Sequence, residues 1–383
     1  MGLSVIDSRL PDFDYVPNQP RDIMPYPIVR TITLLSLMSL AACGDGNPFD
    51  DAALTPPATD DGDQDSGTLP PVEVTPPVAS LLDTGTTRPA VGTGQTPNLV
   101  RVEKTEGGGG RVANVRYDAA NDRFIVDGLA FDGVNSYIRH DALPTLGTAS
   151  VFTAGHRVPD FITSAPIGQI IPYYAVYGAS ENDTSASDAR PRTSYAIIRT
   201  GGLVDTGPGG FLYARNGGVT LPEGPYNASS GQAVFTGDYN GLRVYDGEYG
   251  IEFVTGEMMA QIDFRETDSV LTGRISKRAA YDEQGNAIAL TADGLRLPDV
   301  VLSLPVGSSN ITTSGEIAGT ARSSLRTNGN LETYEEGTYY GAIAGNLVDS
   351  RDGGEIVGVI VLQSTDPRNQ MSVQETGGFI LQR

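Results

Sequence analysis

From residue 101 to the C-terminus the chain is a succession of short β-forming runs separated by Gly, Asn and Asp. This punctuation restricts the fold more than any other feature. The first half includes runs at 123–126, 194–199 and 210–214. In the second half they follow closely, at 233–239, 249–254, 258–264, 270–275, 300–304, 311–318, 339–343, 356–362 and 378–381. No stretch holds an apolar period of 3.6 residues over four turns, so long helices are not expected. Ile262-Asp263-Phe264 and Val270-Leu271-Thr272-Gly273-Arg274-Ile275 alternate apolar with polar side chains, which indicates antiparallel sheet with one wet face. Short strands at this spacing predict an all-β sandwich or barrel. Gly237, Gly273, Gly319 and Gly358 fall inside strand patterns and are expected at bulges and barrel corners.

Turn residues cluster at Asn216-Gly217-Gly218 and again over 224–231. This predicts one β-rich domain over 101–228 and a second over 229–383. The chain gives no clear internal repeat.

The N-terminal part has a different character. The one strong apolar run, 31–42, is about twelve residues long, where a bilayer span needs roughly twenty. It has the length of a signal-peptide h-region, with Arg30 before it. It ends in Leu40-Ala41-Ala42-Cys43, which resembles the bacterial lipobox. That resemblance implies cleavage before Cys43, lipid on Cys43 and attachment to a membrane through it. More than one acyl chain is what stable anchoring requires. Gly44, where the sorting rule of enteric bacteria would need Asp for inner-membrane retention, implies delivery to the outer membrane. Residues 1–23 carry Asp7, Asp12, Asp14 and Asp22, which do not suit a basic n-region, so translation is expected to start at Met24. Residues 1–42 are therefore presequence and signal peptide.

Residues 43–100 are expected to form a disordered tether. From Gly44 onward they hold nine acidic residues against Arg88 alone, together with nine prolines. Such a stretch cannot bury enough apolar surface to offset its ordering entropy, and Pro and like charge extend it. Asp61-Gly62-Asp63-Gln64-Asp65 imitates the start of an EF-hand loop. Gly67 stands one position late and Val72 replaces the closing Glu, so no calcium site is assigned.

The net charge of −21 excludes a phosphate-binding surface built on clustered Lys and Arg. A single Cys excludes a disulfide framework and a Cys-based zinc site, and two His argue against a multi-histidine centre. No nucleic-acid partner and no cofactor are expected.

The second half has a recognisable order. It runs Val234-Phe235-Thr236-Gly237-Asp238-Tyr239, then Gln261-Ile262-Asp263-Phe264 and Leu271-Thr272-Gly273-Arg274-Ile275. Gly315-Glu316-Ile317 with Gly319, Gly337-Thr338-Tyr339-Tyr340-Gly341, the segment 353–359 and Gly377-Gly378-Phe379 complete it. Over roughly 229–383 this resembles the β-barrel domain of the transferrin-binding protein B family of surface lipoproteins. The resemblance implies an eight-stranded antiparallel barrel preceded by a smaller β-rich handle domain. The chain has room for one handle and one barrel, not for two lobes. No ligand-contacting loop residue carries over.

Several constellations could carry chemistry. His140, followed by Asp141 and preceded by Ser136, offers the residue types of a hydrolase triad, but no nucleophile elbow accompanies them. Tyr173, Tyr174 and Tyr177, or Tyr339 and Tyr340, could supply a haem phenolate with His140 or His156 as second ligand. They fit ordinary strand tyrosines equally. Glu335 with Glu336, and Asp118 with Asp122, are acid pairs of the kind glycoside chemistry uses. The glycine run 107–110 lacks a strand–loop–helix frame and fits a hinge. No catalytic, cofactor or metal residue is assigned, and Cys43 is the one expected modification site. The expected function is a non-enzymatic, lipid-anchored envelope protein that captures iron, haem or a metalloprotein. The alternative is a structural surface-coat lipoprotein without a small ligand.

Overall fold

The computed structural model describes residues 89–91, 98–103 and 112–383 apart from internal stretches, the longest being 181–190, 202–208, 223–230 and 304–310. The apolar run 31–42, Cys43, the acidic tether to residue 88, the glycine run 107–110 and His156 lie outside the described residues. Among the described residues every regular element is a β-strand.

The first group is β1 (Pro89–Val91), β2 (Leu99–Glu103), β3 (Asn114–Asp118), β4 (Arg123–Leu129), β5 (Gly133–Arg139), β6 (Thr145–Leu146), β7 (Ala149–Ala154), β8 (Arg157–Pro159), β9 (Pro166–Gly168), β10 (Tyr173–Ala179), β11 (Thr193–Thr200) and β12 (Gly209–Arg215). The second is β13 (Val219–Thr220), β14 (Gln232–Tyr245), β15 (Ile251–Asp263), β16 (Val270–Tyr281), β17 (Ala287–Ile288), β18 (Val300–Ser303), β19 (Glu316–Thr327), β20 (Asn330–Asn346), β21 (Glu355–Thr365) and β22 (Ser372–Gln382).

Ten strands of the first group form one curled antiparallel sheet in the order β1-β2-β12-β11-β10-β7-β5-β4-β3, with β6 paired to β7. β8 and β9 pair separately. In the second group β14, β15, β16, β18, β19, β20, β21 and β22 each pair with the next, and β22 returns to β14. This closes an eight-stranded antiparallel barrel, as expected. Closure leaves no free edge among those eight strands. The chain passes from sheet to barrel between Arg215 and Val219, where β13 pairs in parallel with the end of β20.

Two expected runs merge: 249–254 and 258–264 fall on one strand, β15, whose partner β16 bulges opposite Gly256. The run 311–318 becomes strand only from Glu316, with Ile311 making an isolated bridge to Ile317. The curled sheet also takes β1, Leu99 and Val100 from the stretch 43–100 that the sequence assigns to the tether. Three residues carry no periodicity, and an edge position tolerates Pro89, so nothing in the local pattern marks β1.

The period-2 pattern sets what faces where. Phe235, Ile262, Leu271, Ile275, Tyr339, Ile360 and Phe379 point into the barrel and fill it. Thr272 and Arg274 point to solvent, the wet face that the alternation predicts. The strands β14 and β20 to β22 differ, because the curled sheet covers their outer face. Leu242, Val244, Tyr340, Val357 and Val359 on the barrel pack there against Val151, Tyr174, Tyr195, Ile197 and Phe211. Polar clasps cross this seam. Arg101 meets Glu316 at 2.6 Å, Arg199 reaches Thr376 at 3.0 Å, and Ser180 and Thr193 donate to Glu355 at 2.6 and 2.7 Å.

The strand glycines serve clearance, and none of the four singled out in the sequence stands at a register shift. A Cβ on Gly319 would lie 2.4 Å from the Tyr339 ring, and one on Gly358 2.6 Å from Phe379. The barrel's bulges sit elsewhere, at Lys277 and Arg278 of β16 opposite Gly256 and at Tyr334 of β20 opposite Ser323 and Ser324.

Candidate functional site

One end of the barrel lumen is closed by charge rather than by apolar side chains. Arg243 (β14) and Arg278 (β16) are fully buried. Arg278 donates to both oxygens of Glu335 (β20) at 2.6 and 2.9 Å and to both oxygens of Glu375 (β22) at 2.7 Å. It also reaches the Pro298 carbonyl at 2.8 Å. Arg243 pairs with Glu252 (β15) at 2.5 Å, and Arg368, in the β21–β22 turn, meets the other Glu252 oxygen at 2.6 Å and pairs with Asp366. Hydroxyls saturate the remaining lone pairs: Ser323 donates to Glu335 at 2.6 Å, Tyr239 to Glu375 at 2.7 Å and Tyr245 to Glu252 at 2.6 Å. Burial alone would lower the Arg278 pKa, but Glu335 and Glu375 outweigh it and raise it well above the ordinary value. Burial likewise pushes Glu335 up and Arg278 pulls it down further, so its carboxyl sits below its usual range. Every charged member of the plug is ion-paired and hydrogen-bonded, which is what a buried ionic cluster needs to persist, with only the Arg243 and Arg278 Nε atoms left without a hydrogen-bond partner.

The bulge positions Arg278. Lys277 adopts φ 54°, and it and Arg278 together oppose Gly256 of β15. The extra residue shifts the pleat by one, turning Arg278 inward while Lys277 points out and pairs with Glu257 at 2.8 Å.

Two grooves open on the outside of the protein. A groove of about 770 Å³ crosses β14, β15 and β16 and is lined by Thr236, Asp238, Met259, Arg274, Lys277 and Asp299 among others. Met259 and Val301 are about half exposed on this uncovered face. A second groove, about 310 Å³, follows the seam past Thr148, Ser180, Tyr195, Asp238 and Gln382. Both volumes are in the range of ligand clefts.

The candidate catalytic and haem sets do not assemble. His140 is buried in the seam with Nδ1 accepting the Leu143 N–H at 3.0 Å, while Ser136 is exposed on β5. Tyr173 and Tyr174 point to opposite faces of the curled sheet, with Tyr177 on the Tyr173 side. Tyr339 points into the lumen and Tyr340 into the seam. Glu335 is buried in the plug, whereas Glu336 is exposed and pairs with Arg322 at 2.9 Å. Asp118 accepts from Ala120 N–H and the Asn121 amide, which hold its pKa below the usual value. Asp122 binds Arg139 and is lowered to about 2. Neither acid is raised as a general acid must be.

Sequence reasoning missed the plug. In Leu242-Arg243-Val244-Tyr245 the alternation makes the Arg/Tyr face look like the solvent side, but the apolar face meets the curled sheet and the polar face enters the lumen.

No protein-family model matches the chain, and no curated protein matches it. Among the similar solved structures are two of the vaccine antigen transferrin-binding protein B of Haemophilus parasuis Hp5. A double mutant shares 10% identity at a TM-score of 0.33, covering 77% of this chain and 53% of its own. A single mutant shares 9% identity at a TM-score of 0.29, covering 76% of this chain and 67% of its own. The chain thus spans about half the length of the first. Likeness at this level bears on neither ligand nor residue roles.

Proposed function

We propose that this protein is a non-enzymatic binding protein of the bacterial outer membrane. It is anchored by lipid on Cys43 and raised from the membrane by the tether that runs from Cys43 to β1. A handle, β1 to β12, and the barrel that follows it together present their outer surface to a protein that carries iron or haem. The observation that supports this reading best is the filled lumen. Apolar side chains occupy one end and paired charges the other, so a ligand is met from outside, at the grooves on β14 to β16 and along the seam. The buried clasps between handle and barrel keep those surfaces in fixed register.

The test is direct binding of the immobilised chain to a panel of purified iron carriers, haem proteins and envelope proteins. Saturable binding to one of them, without chemical change to it, is expected. Met259→Asp in the open groove should weaken it at least tenfold while leaving the melting temperature unchanged. Failure to bind any member of the panel, or turnover of a bound one, overturns the reading. Labelling with a palmitate analogue, expected to be lost in Cys43→Ala, tests the anchor separately.

A further inference from the structure

His140 stands where handle and barrel meet. Its ring centroid lies 5.6 Å from Tyr174 of β10 and 5.6 Å from Phe253 of β15, and those two rings meet edge to face at 5.6 Å. One imidazole therefore bridges the curled sheet and the barrel. The turn that follows it is held by the Leu143 N–H donating to His140 Nδ1. Leu143 packs against the apolar seam and beside the barrel turn at Gly285, where a Cβ would meet Ala142 O at 3.4 Å and Leu143 Cδ2 at 3.5 Å. Nearby, Gly201 of the handle approaches Gly250 of the barrel so closely that a Cβ would sit 2.6 Å from the Gly250 nitrogen.

Imidazole is the side chain that changes charge near neutrality. With Nδ1 committed as an acceptor, the neutral ring carries its proton on Nε2. A second proton must enter at Nδ1. There it displaces the Leu143 N–H and leaves a cation among aromatic rings, a place that penalises charge. The titratable groups around it are Asp141 beside it in the chain, Glu283 in the β16–β17 turn, Tyr174 of β10 and Tyr249 in the β14–β15 turn. Burial and Glu283 hold the Tyr174 and Tyr249 phenols above their usual value, so both stay neutral. Phe253, the contact from β15, carries no charge.

We propose that His140 is a proton-operated latch: a proton on Nδ1 releases the 140–143 turn and loosens the handle from the barrel. Burial lowers the His140 pKa, and the opposing pull of Glu283 and Asp141 does not restore it. A histidine lowered in the closed form binds its proton more readily in the open form. Closure is therefore fully favoured above the open-state value of about 6.5, weakens as pH falls below it, and stops weakening below the closed-state value. The latch does not depend on what the protein binds.

With two histidines in the chain, imidazole Cε1–H resonances of the full-length protein can be assigned by substitution. The resonance missing in His140→Gln should titrate below 6.5, and a midpoint at or above 6.5 overturns the latch. Hydrogen exchange, corrected for intrinsic rate, provides the second readout. Protection over 141–143 and 251–254 should fall between pH 7.5 and pH 5, by roughly tenfold per unit of pKa lowering, while 356–362 in β21 keeps its protection. His140→Gln keeps an acceptor for Leu143 but takes up no proton, and should be equally protected at both pH values. If His140→Gln does not fold, Glu283→Gln replaces it: it removes a carboxylate that favours the protonated ring in the closed form, so the His140 midpoint should move further down and the loosening should continue to lower pH than in wild type, with its onset still near 6.5. Unchanged wild-type protection, the same loss in His140→Gln, a His140 midpoint that Glu283→Gln leaves in place, or tighter protection at pH 5 through a His140–Glu283 pair would each refute it.

Discussion

Lys277 and Arg278 are adjacent cations with opposite fates, and the backbone decides between them. Lys277 takes the left-handed conformation at the bulge, so the pleat turns Arg278 into the lumen. Glycine suits that conformation and a β-branched residue does not. Lys277→Gly should therefore leave the denaturation midpoint unchanged or higher, since the exposed Glu257 pair it gives up is worth little. Lys277→Val should lower the midpoint by about 1–3 kcal/mol, both through backbone strain and by disturbing the direction of Arg278. Arg278 itself neutralises Glu335 and Glu375 where no water reaches. Arg278→Met should cost about 3–5 kcal/mol in urea unfolding, because two carboxylates stay buried without their partner. Adding Glu335→Gln should recover part of that loss, and strict additivity of the two substitutions would show that the pair is not coupled.

The strand is the scale at which the sequence is most readable. The expected runs fall on all eight barrel strands, because each needs one face against the lumen, but not on their bounds: 311–318 meets β19 (Glu316–Thr327) only at its start, and 339–343 is a short piece of β20 (Asn330–Asn346). Alternation fails at β15, where Thr255-Gly256-Glu257 looks like a turn between two strands but is one side of a bulge. It also fails to say which polar face is wet. Arg243 is buried only because a second sheet covers Leu242 and Val244, and nothing local to β14 announces that sheet. β21 is more candid: Ile356-Val357-Gly358-Val359-Ile360-Val361-Leu362 has no polar face, as a strand covered on both sides should not. The seam depends on glycine as much as on apolar area. The Tyr195 ring lies between Gly178 and Gly378, where a Cβ would come within 2.3 and 2.2 Å of it. Gly378→Ala should destabilise the protein by about 1–3 kcal/mol. In a background of Tyr195→Leu the same change should cost less, which thermal melts of the two singles and the double would measure.

At the scale of the whole molecule, two populations of titrating groups divide the acid response into stages. The candidate site was hidden from the sequence for the same reason these stages are: both arise from charges brought together by strands far apart in the chain, such as Arg278 with Glu335 and His140 with Phe253. Glu335 and Asp366 form the deeper stage. Burial pushes both carboxyls up, and Arg278 for Glu335 and Arg368 for Asp366 outweigh it, so both pKa values lie below the ordinary range. An acid lowered in the folded state contributes stability that is complete above its unfolded value of about 4 and is lost as pH falls through the folded value. His140 has the opposite charge type and acts earlier, below about 6.5. On descending from pH 7.5, exchange protection along the seam should therefore fall first while the barrel strands stay protected. Protection of β20 and β22 should fall only below about pH 4, together with the urea midpoint. In His140→Gln the first stage should vanish and the second remain. In Arg278→Met with Glu335→Gln the second stage should become shallower and the first stay in place. A single transition in which seam and barrel lose protection at the same pH in all three proteins would show that handle and barrel titrate as one unit.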